Sequence, residues 1–380
     1  MSPSLPKRYT HGTHRVCPPE ETLARVTPLF AQAGITRVAD ITRLDDLGIP
    51  VFQSVRPNSR SLSVTQGKGL TPTLAKVSAI MESIEQWHAE EVHLPVTQAR
   101  VRELAPELGY DPARLSRLER NVFHPGLRLD WVPALALDTG RATYVPRGVV
   151  TLDFALRMEP GVLLYPSTSN GLASGNVREE AALHALLEVI ERDSLARAIH
   201  DGWPRERFVD PATLDSPSNQ ALLERFAAAG VEFLIYDATG PTGLPCFRVT
   251  IWSPSFPEIC PGSGCHLDKH VALSRALTEA AQTRLSAIAG ARDDLVELAW
   301  RWSRDLMLTE PATLPRLASL PRDFRQIPSL SSEDLQQDLA LVVRLAAQQA
   351  GTSPLLVDLS RPEVGIAVVY VIVPGFQFSL

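Results

Sequence analysis

The amino-acid sequence predicts an α+β fold, in which helices mix with a largely antiparallel sheet. Helical and strand-like segments follow one another without the regular strand–helix–strand order of a doubly wound parallel sheet. Three long segments repeat their apolar residues at helical spacing. The 380 residues are 44% hydrophobic and 21% charged, an ordinary globular composition that can bury a large core without disulfides.

The first predicted helix, Pro19–Ala33, carries Glu20 and Glu21 in its first turn and ends before Gly34. Acidic residues favour a helix start and glycine favours a helix end. Apolar periodicity predicts the other helices. They span Thr73–Glu90, Val177–Ile199, Asn219–Ala228, Val271–Ile288 and Ser332–Ala347.

Short segments between these helices are predicted as strands. They span Val51–Val55, Trp131–Leu137, Ala142–Pro146, Val231–Tyr236, Cys246–Trp252, Pro354–Leu359 and Gly365–Val373. Turn-forming and polar residues predict loops at Pro57–Leu70, Pro166–Asn176 and Glu310–Pro328. Because no long linker separates domains, residues 1–62 are predicted as an N-terminal helix and strand segment, continuous with a main domain over residues 63–380.

Composition and charge exclude several classes of protein. The formal net charge of −6 argues against a general nucleic-acid binder. The first residues lack the apolar core of a signal peptide, and no stretch approaches the ~18 apolar residues of a transmembrane helix. Four sparse cysteines fit a reducing compartment. We therefore expect a cytoplasmic protein without nucleic-acid or membrane partners.

Two of the cysteines, Cys260 and Cys265, enclose Pro-Gly-Ser-Gly, and His266 follows directly. One interpretation is a zinc site, and the other is a tight turn with two small buried thiols. The spacing differs from that of a standard zinc knuckle, and no second ligand pair follows. These facts favour the turn.

The first long helix carries a narrow polar stripe. At about 100° per residue, Ser78, Glu82 and Glu85 fall within about 60° of one another, while apolar residues occupy the other faces. A helix that is apolar around most of its circumference is usually buried. Buried carboxylates are costly unless they meet cations, so this stripe indicates a charged site.

The other two long helices repeat this pattern. On the second, Glu180, His184, Glu188 and Glu191 share one face; on the third, the shared face carries Arg275, Glu279, Gln282 and Ser286. Arg284 falls on the apolar side of the third helix. Any one stripe alone is more typical of a solvated face, but three together favour a shared polar cavity.

Such a cavity has the chemistry of a magnesium and phosphate site. Carboxylates without a Cys/His cluster suit a hard cation, and magnesium is usually held by a few carboxylates together with substrate phosphates. Lys68, between Gly67 and Gly69, supplies a positive charge beside backbone that phosphate can approach closely, and Arg192 and Arg275 add charge. The motif is not a P-loop, and alone a Gly-Lys-Gly segment more commonly forms a surface turn.

Several blocks of sequence together resemble the YcaO family. The resemblance runs from the start of the chain to about Val373. It is carried by Gly67–Gly69, Ser78–Glu85, Ser169–Gly171, Gly175–Asn176, Glu179–Ala181, Leu187–Asp193 and Arg275–Arg284. The resemblance implies the family's own ATP-binding fold over residues 63–380, with ATP and Mg²⁺ as cofactors.

The resemblance also implies roles for the polar residues. Glu82, Glu85, Glu188 and Glu191 are expected to bind magnesium, with Glu82 and Glu191 also assigned to catalysis. The expected nucleotide-binding residues are Lys68, Ser78, Asn176, Glu180, Arg192, Arg275, Glu279 and Gln282. His184 is a candidate base, although a structural helix histidine explains it equally well.

Members of the family use ATP to phosphorylate the oxygen of a peptide amide, and a nucleophile then displaces phosphate. A Cys, Ser or Thr side chain gives an azoline, and sulfide gives a thioamide. Phosphorylation turns a poor leaving group into a good one, and the protein supplies positioning and charge neutralisation. This chemistry explains a site of carboxylates and cations without a protein nucleophile.

The start of the chain resembles the stand-alone members found with TfuA proteins, which are linked to thioamides, and its end departs from azoline-forming members. Tyr9–Arg15 has the corresponding opening, and Val373-Pro374-Gly375 replaces the alternating prolines of azoline-forming members. The resemblance implies a peptide or protein substrate and a TfuA-like partner, with a homodimer left open. The alternatives are a cyclodehydratase with a separate peptide-recognition protein, and a nucleotide-binding accessory protein to another modifying enzyme.

Overall fold

A computed structural model describes residues 4–119, 121–154, 164–291 and 321–378. Its helices are α1 Pro19–Val26, α2 Phe30–Ala33, α3 Pro72–Glu90, α4 Val101–Leu108, α5 Arg147–Val150, α6 Arg178–His200, α7 Pro217–Ala228, α8 Lys269–Ala289 and α9 Leu335–Ala350. Its strands are β1 Arg37–Asp40, β2 Val51–Val55, β3 Val64–Lys68, β4 Thr97–Arg100, β5 Arg128–Ala136, β6 Ala142–Pro146, β7 Leu172–Gly175, β8 Glu232–Asp237, β9 Cys246–Ser253, β10 Phe256–Cys265, β11 Leu355–Asp358 and β12 Ala367–Ile372.

The strands form three sheets. Their orders are β1-β2-β3, β10-β9-β8 and β4-β5-β11-β12-β7, with β6 paired to β5. Every pair of neighbouring strands in these sheets is antiparallel. The predicted α+β class is therefore confirmed. None of the helices in the described ranges is long and apolar enough to cross a membrane.

The predicted helices and strands are present with shifted ends, and several other elements were missed. The first predicted helix is interrupted by a 3-10 turn at Thr27–Leu29, where Pro28 has no N–H for the helical ladder. The predicted loop Pro57–Leu70 contains β3, and Pro166–Asn176 contains β7. Glycine and serine in these strands imitate loop composition, which explains both errors. Of the predicted loop Glu310–Pro328, residues 310–320 lie outside the described residues, and a short 3-10 turn covers Phe324–Gln326.

Three strand–helix units place the long helices. In each unit a strand leads within a few residues into a helix: β3 into α3, β7 into α6 and β10 into α8. The strands pack closely on their helices because glycine lies at the contact. A Cβ on Gly67 would lie 2.0 Å from Ala79 N, and one on Gly262 would lie 2.2 Å from Ala276 O. Gly67 therefore serves packing against α3, whereas Lys68 and Gly69 line the cavity.

The apolar faces of the three helices lie in the hydrophobic cores. Ile80 and Ile84 of α3 are fully buried, as are Leu186 of α6 and Leu277 of α8. Burying these faces directs the polar stripe of each helix toward the space between the three units. The core packing therefore decides which way the carboxylates point.

Candidate functional site

One cavity of about 490 Å³ lies where the polar stripes of α3, α6 and α8 meet. Every site residue predicted from the sequence lines it. These residues are Lys68, Ser78, Glu82, Glu85, Asn176, Glu180, His184, Glu188, Glu191, Arg192, Arg275, Glu279 and Gln282. The geometry brings them together, whereas their roles toward metal and nucleotide stay predictions.

Glu85 is fixed by the strand that precedes α6. Ser174 donates to Glu85 Oε1 from its backbone nitrogen at 2.8 Å and from its hydroxyl at 2.6 Å. Burial, with the nearby charges of Glu82 and Glu188, raises the pKa of Glu85 to about 8. At neutral pH this carboxyl holds a proton, which a bound cation would displace.

Glu188 is a second cavity carboxyl with a raised pKa. Burial and the like charge of Glu191 raise the pKa of Glu188 to about 7. Arg192 opposes this effect with its Nη2 atom 4.0 Å from Glu188 Oε1. Two carboxyls with raised pKa values in one cavity indicate a site that lacks part of its positive charge.

Glu191 and Glu279 share a donor on β10. The Ser263 hydroxyl lies 2.6 Å from Glu191 Oε1 and 3.1 Å from Glu279 Oε1. The backbone nitrogen of Cys265 donates to Glu191 Oε2 at 2.9 Å. Lys68 Nζ lies 2.7 Å from Glu279 Oε2. Burial raises the pKa of Glu279, but the positive charges of Lys68, Arg192 and Arg275 outweigh burial and lower this pKa to about 2.

Glu180 holds the N-terminal segment in place. Its Oε2 accepts from Val16 N at 2.8 Å, and its Oε1 accepts from the backbone and side-chain nitrogens of Asn176 at 3.0 Å each. Both carboxylate oxygens are therefore occupied by protein donors. This arrangement fits a residue that positions Asn176 and the segment around Val16 at the cavity wall.

The two arginines of α8 have different surroundings. Arg275 lines the cavity, as its helical phase predicts. Arg284 is buried on the other side of the helix, where its Nε lies 2.9 Å from Asp45 Oδ2. The two guanidiniums therefore serve the cavity and the core, respectively.

The cavity also contains residues that the sequence did not single out. Arg15 and Thr13 reach it from the N-terminal segment, and Gln66 and Ser174 reach it from β3 and β7. The N-terminal pair lies outside regular secondary structure, and the other two lie in segments predicted as loops. Because these segments were not predicted as helices or strands, residue spacing could not show which way their side chains point. The similarity of Tyr9–Arg15 to family members was the only available signal.

The donor set fits magnesium bound together with phosphate. Over the described ranges, no three His, Cys, Asp or Glu side chains lie close enough to hold a metal ion by themselves. Magnesium usually takes few protein carboxylates and completes its shell with phosphate and water oxygens. Two buried cavity atoms, Gln282 Oε1 and Gln66 Nε2, also lack a hydrogen-bond partner within the described part of the chain. A nucleotide and a metal would complement the cationic side chains, the carboxyls with raised pKa values and the unpaired polar atoms of this cavity.

The structure confirms the buried thiols of the second sequence interpretation but not its turn. Cys260 and Cys265 lie in β10 rather than in a tight turn, and both are buried and free. Cys265 pairs with Cys246 of β9 across the ladder. Gly262 and Gly264 suggested a turn in the sequence. In the structure they lie in the strand and allow it to pack closely against α8.

A family model described as "YcaO cyclodehydratase, ATP- and Mg²⁺-binding" matches residues 66–377. The chain belongs to the YcaO family. This match confirms the predicted family and its cofactors, ATP and Mg²⁺. It also accounts for an acidic cavity lined by lysine and arginine.

Relatives and a solved structure agree with this assignment. An uncharacterised protein of Mycobacterium tuberculosis is 39% identical and aligns over 98% of this chain and 84% of its own length. An uncharacterised protein in the tfuA 3′ region of Rhizobium leguminosarum bv. trifolii is 33% identical, over 96% of this chain and 89% of its own. The YcaO structure from Methanopyrus kandleri, bound with AMPPCP and Mg²⁺, has a TM-score of 0.75 at 23% identity, covering 98% of this chain and 95% of that one. That likeness confirms the YcaO fold.

Proposed function

We propose that this YcaO protein converts a peptide backbone amide into a thioamide, using ATP and sulfide and working with a TfuA-like partner in the cytoplasm. The observation that carries the choice of thioamide is the similarity to a protein of a tfuA region over nearly the whole of both chains. The acidic and cationic cavity supports the ATP-dependent step. It offers charge and hydrogen-bond donors and needs no protein nucleophile.

In this proposal Glu82, Glu85, Glu188 and Glu191 hold magnesium, which when bound neutralises phosphate charge. Ser174 and Ser263 orient two of these carboxylates through hydrogen bonds from the strands. Lys68, Ser78, Asn176, Arg192, Arg275, Glu279 and Gln282 bind the nucleotide, and Glu180 holds Asn176 in position. Charge-assisted contacts from lysine and arginine are the usual way to bind phosphates.

The proposed reaction has two steps. The amide oxygen attacks the γ-phosphorus of ATP, and the bond to ADP breaks. Hydrosulfide then attacks the amide carbon, and the carbon–oxygen bond breaks as phosphate leaves with that oxygen. The product keeps the amide N–H and carries sulfur in place of oxygen, so the balance is ATP and hydrosulfide in, ADP and phosphate out.

In this proposal His184 accepts the proton that hydrosulfide loses. Burial, reinforced by the charge of Arg275, lowers the pKa of His184 well below its usual value. The imidazole is therefore neutral at physiological pH and has a free lone pair for a proton. Its position on the cavity wall between Glu180 and Glu188 puts it near the proposed nucleotide site.

Azoline formation is the second candidate, because the matching family model is a cyclodehydratase. The two products differ in mass, so a comparison of proteomes from cells with and without the gene separates them. A peptide that gains the mass difference between sulfur and oxygen supports the thioamide. A peptide that loses water supports the azoline. Unchanged peptides, with phosphate released from ATP only when another modifying enzyme is added, support an accessory protein instead.

A further inference from the structure

We propose that a small chamber beside the main cavity binds hydrosulfide, the anion of hydrogen sulfide. This inference rests on the proposed function, which makes sulfide the nucleophile. The chamber has a volume of about 20 Å³. Its polar lining consists mainly of His14, Arg15, His184, Cys265, His266 and Arg275.

The chamber adjoins the proposed nucleotide site. Arg15, His184 and Arg275 line both spaces, so these three side chains form part of the boundary between them. A ligand in the chamber would therefore lie next to the cavity where the amide is activated. Leu183, Leu187 and Leu335 form an apolar part of the wall, and Thr13 and Glu180 complete the lining.

The volume restricts the ligand to one small molecule. A cavity needs about 10–15 Å³ of probe volume to hold a single water. The chamber exceeds this minimum by little, so it suits a single small ligand better than a phosphate chain or a peptide side chain. A diatomic anion such as hydrosulfide matches the available space.

His14 supplies an acceptor for the S–H group. Its side chain is 9% exposed, and its Nδ1 atom has no hydrogen-bond partner among the residues that the structure describes. Its Nε2 atom lies 3.8 Å from Asp268 Oδ2, and in the neutral tautomer with the proton on Nε2 the Nδ1 atom is an acceptor. Burial, with the charge of Lys7, lowers the pKa of His14 to about 4, which keeps the ring neutral.

The charges around the chamber favour an anion. Arg15 and Arg275 contribute two guanidiniums. Glu180 also lines the chamber, and Arg15 Nη1 lies 3.9 Å from Glu180 Oε1. Both Glu180 oxygens already accept hydrogen bonds from Val16 and Asn176, and the two guanidiniums outnumber this one carboxylate in the lining. An anion that both donates and accepts, as hydrosulfide does, suits a neutral imidazole acceptor beside two cations.

Binding can be measured without ATP or peptide. In full-length protein labelled with ¹⁵N at its nine histidines, titration with sodium hydrosulfide should shift the ring resonances of His14, His184 and His266 in a saturable way. His14→Phe removes the acceptor and should weaken this binding by about tenfold or more. His88→Phe is the matched control: His88 is also buried with an unpaired Nε2, yet it lies on α3 away from the chamber. It should leave the shifts of the other three histidines unchanged.

A second measurement tests the proposal even if the His14→Phe variant does not fold. Crystals of the wild-type protein soaked in sodium hydroselenide should show anomalous scattering from selenium within the chamber. Absence of both the shifts and the selenium overturns the proposal, as do equal shifts with sodium chloride. Because neither measurement needs turnover, a failure of thioamidation would leave this result standing, and a failure here would leave amide activation untouched.

Discussion

Ser174 on β7 donates two hydrogen bonds, at 2.8 and 2.6 Å, to Glu85 on α3, so a strand of one unit fixes a carboxylate on the helix of another. The relationship recurs around the cavity. Ser263 on β10 bonds Glu191 on α6, and Lys68 on β3 bonds Glu279 on α8. Each of the three strands thus holds an acidic side chain belonging to another unit. Hydrogen bonds from residues on these strands thus orient the carboxylates, which is how precise sites are usually built.

The first prediction concerns the stability of the ligand-free protein. Because the pKa of Glu85 is about 8 when folded and lower when unfolded, this carboxyl costs stability as pH rises from about 4.5 through 8. Glu85→Gln removes that cost, and its amide oxygen can still accept from Ser174. At pH 8 without metal or nucleotide, the variant should melt at a higher temperature than the wild type.

Glu90→Gln provides the matched control on the same helix. Glu90 forms a buried pair with Arg56, whose Nη2 atom lies 2.7 Å from Glu90 Oε2. Removing one member of such a pair costs about 3 kcal/mol of unfolding free energy. This variant should melt at a lower temperature. If both substitutions lowered the melting temperature, Glu85 would not be a carboxyl that destabilises the ligand-free protein when it is ionised.

The second prediction is that binding of the magnesium–nucleotide complex releases protons. Glu85 and Glu188 must lose their protons to bind a cation, and their pKa values are about 8 and 7. Affinity should therefore fall as pH drops from 8 to 6, by at most about tenfold per pH unit for each proton released. Calorimetry with Mg²⁺·AMPPCP in two buffers of different ionisation enthalpy measures the number of protons. Equal heats in both buffers would show that neither carboxyl takes part.

The third prediction separates two arginines on one helix. Arg275→Ala removes a cation from the cavity and should weaken ATP binding by about tenfold or more, with a small effect on stability. Arg284→Ala leaves Asp45 buried without its partner and should lower the unfolding free energy by about 3 kcal/mol. ATP titration and denaturant unfolding of both variants test this contrast. Similar losses of ATP affinity would show that helical phase does not distinguish their roles.

The fourth prediction is that the purified protein contains far less than one zinc per chain. Cys260 and Cys265 are buried in β10, and Cys265 lies opposite Cys246 rather than within a ligand set. Elemental analysis gives the zinc content directly. Stoichiometric zinc that disappears in Cys260→Ser would reverse this conclusion.

The sequence predicted the helical side of the site and missed much of its strand side. Glu82, Glu188 and Arg275 were assigned correctly to the cavity wall because a helix converts spacing into direction. Ser174 and Ser263 gave no comparable signal, since each lies on a short strand rich in small residues. Their importance comes from contacts between segments far apart in the chain, which no local pattern records.

The same limit explains the errors in secondary structure. Gly67 and Gly262 suggested turns or phosphate contacts, yet each lies in a strand that packs against a helix at very short distance. A glycine needed for tertiary packing looks identical in sequence to one needed for a turn. The antiparallel pairing of β3 and β10 with β2 and β9 decides between them, and that pairing depends on the folded chain.

The most direct test of the central claim, that this cavity activates a peptide amide with ATP, follows the amide oxygen. Substrate peptide labelled with ¹⁸O at the modified carbonyl is incubated with the protein, its TfuA-like partner, ATP, magnesium and sulfide. We predict that the released phosphate carries the ¹⁸O label and that the peptide gains the mass difference between sulfur and oxygen. Unlabelled phosphate released while the peptide is converted would contradict phosphorylation of the amide oxygen, and with it the proposed mechanism.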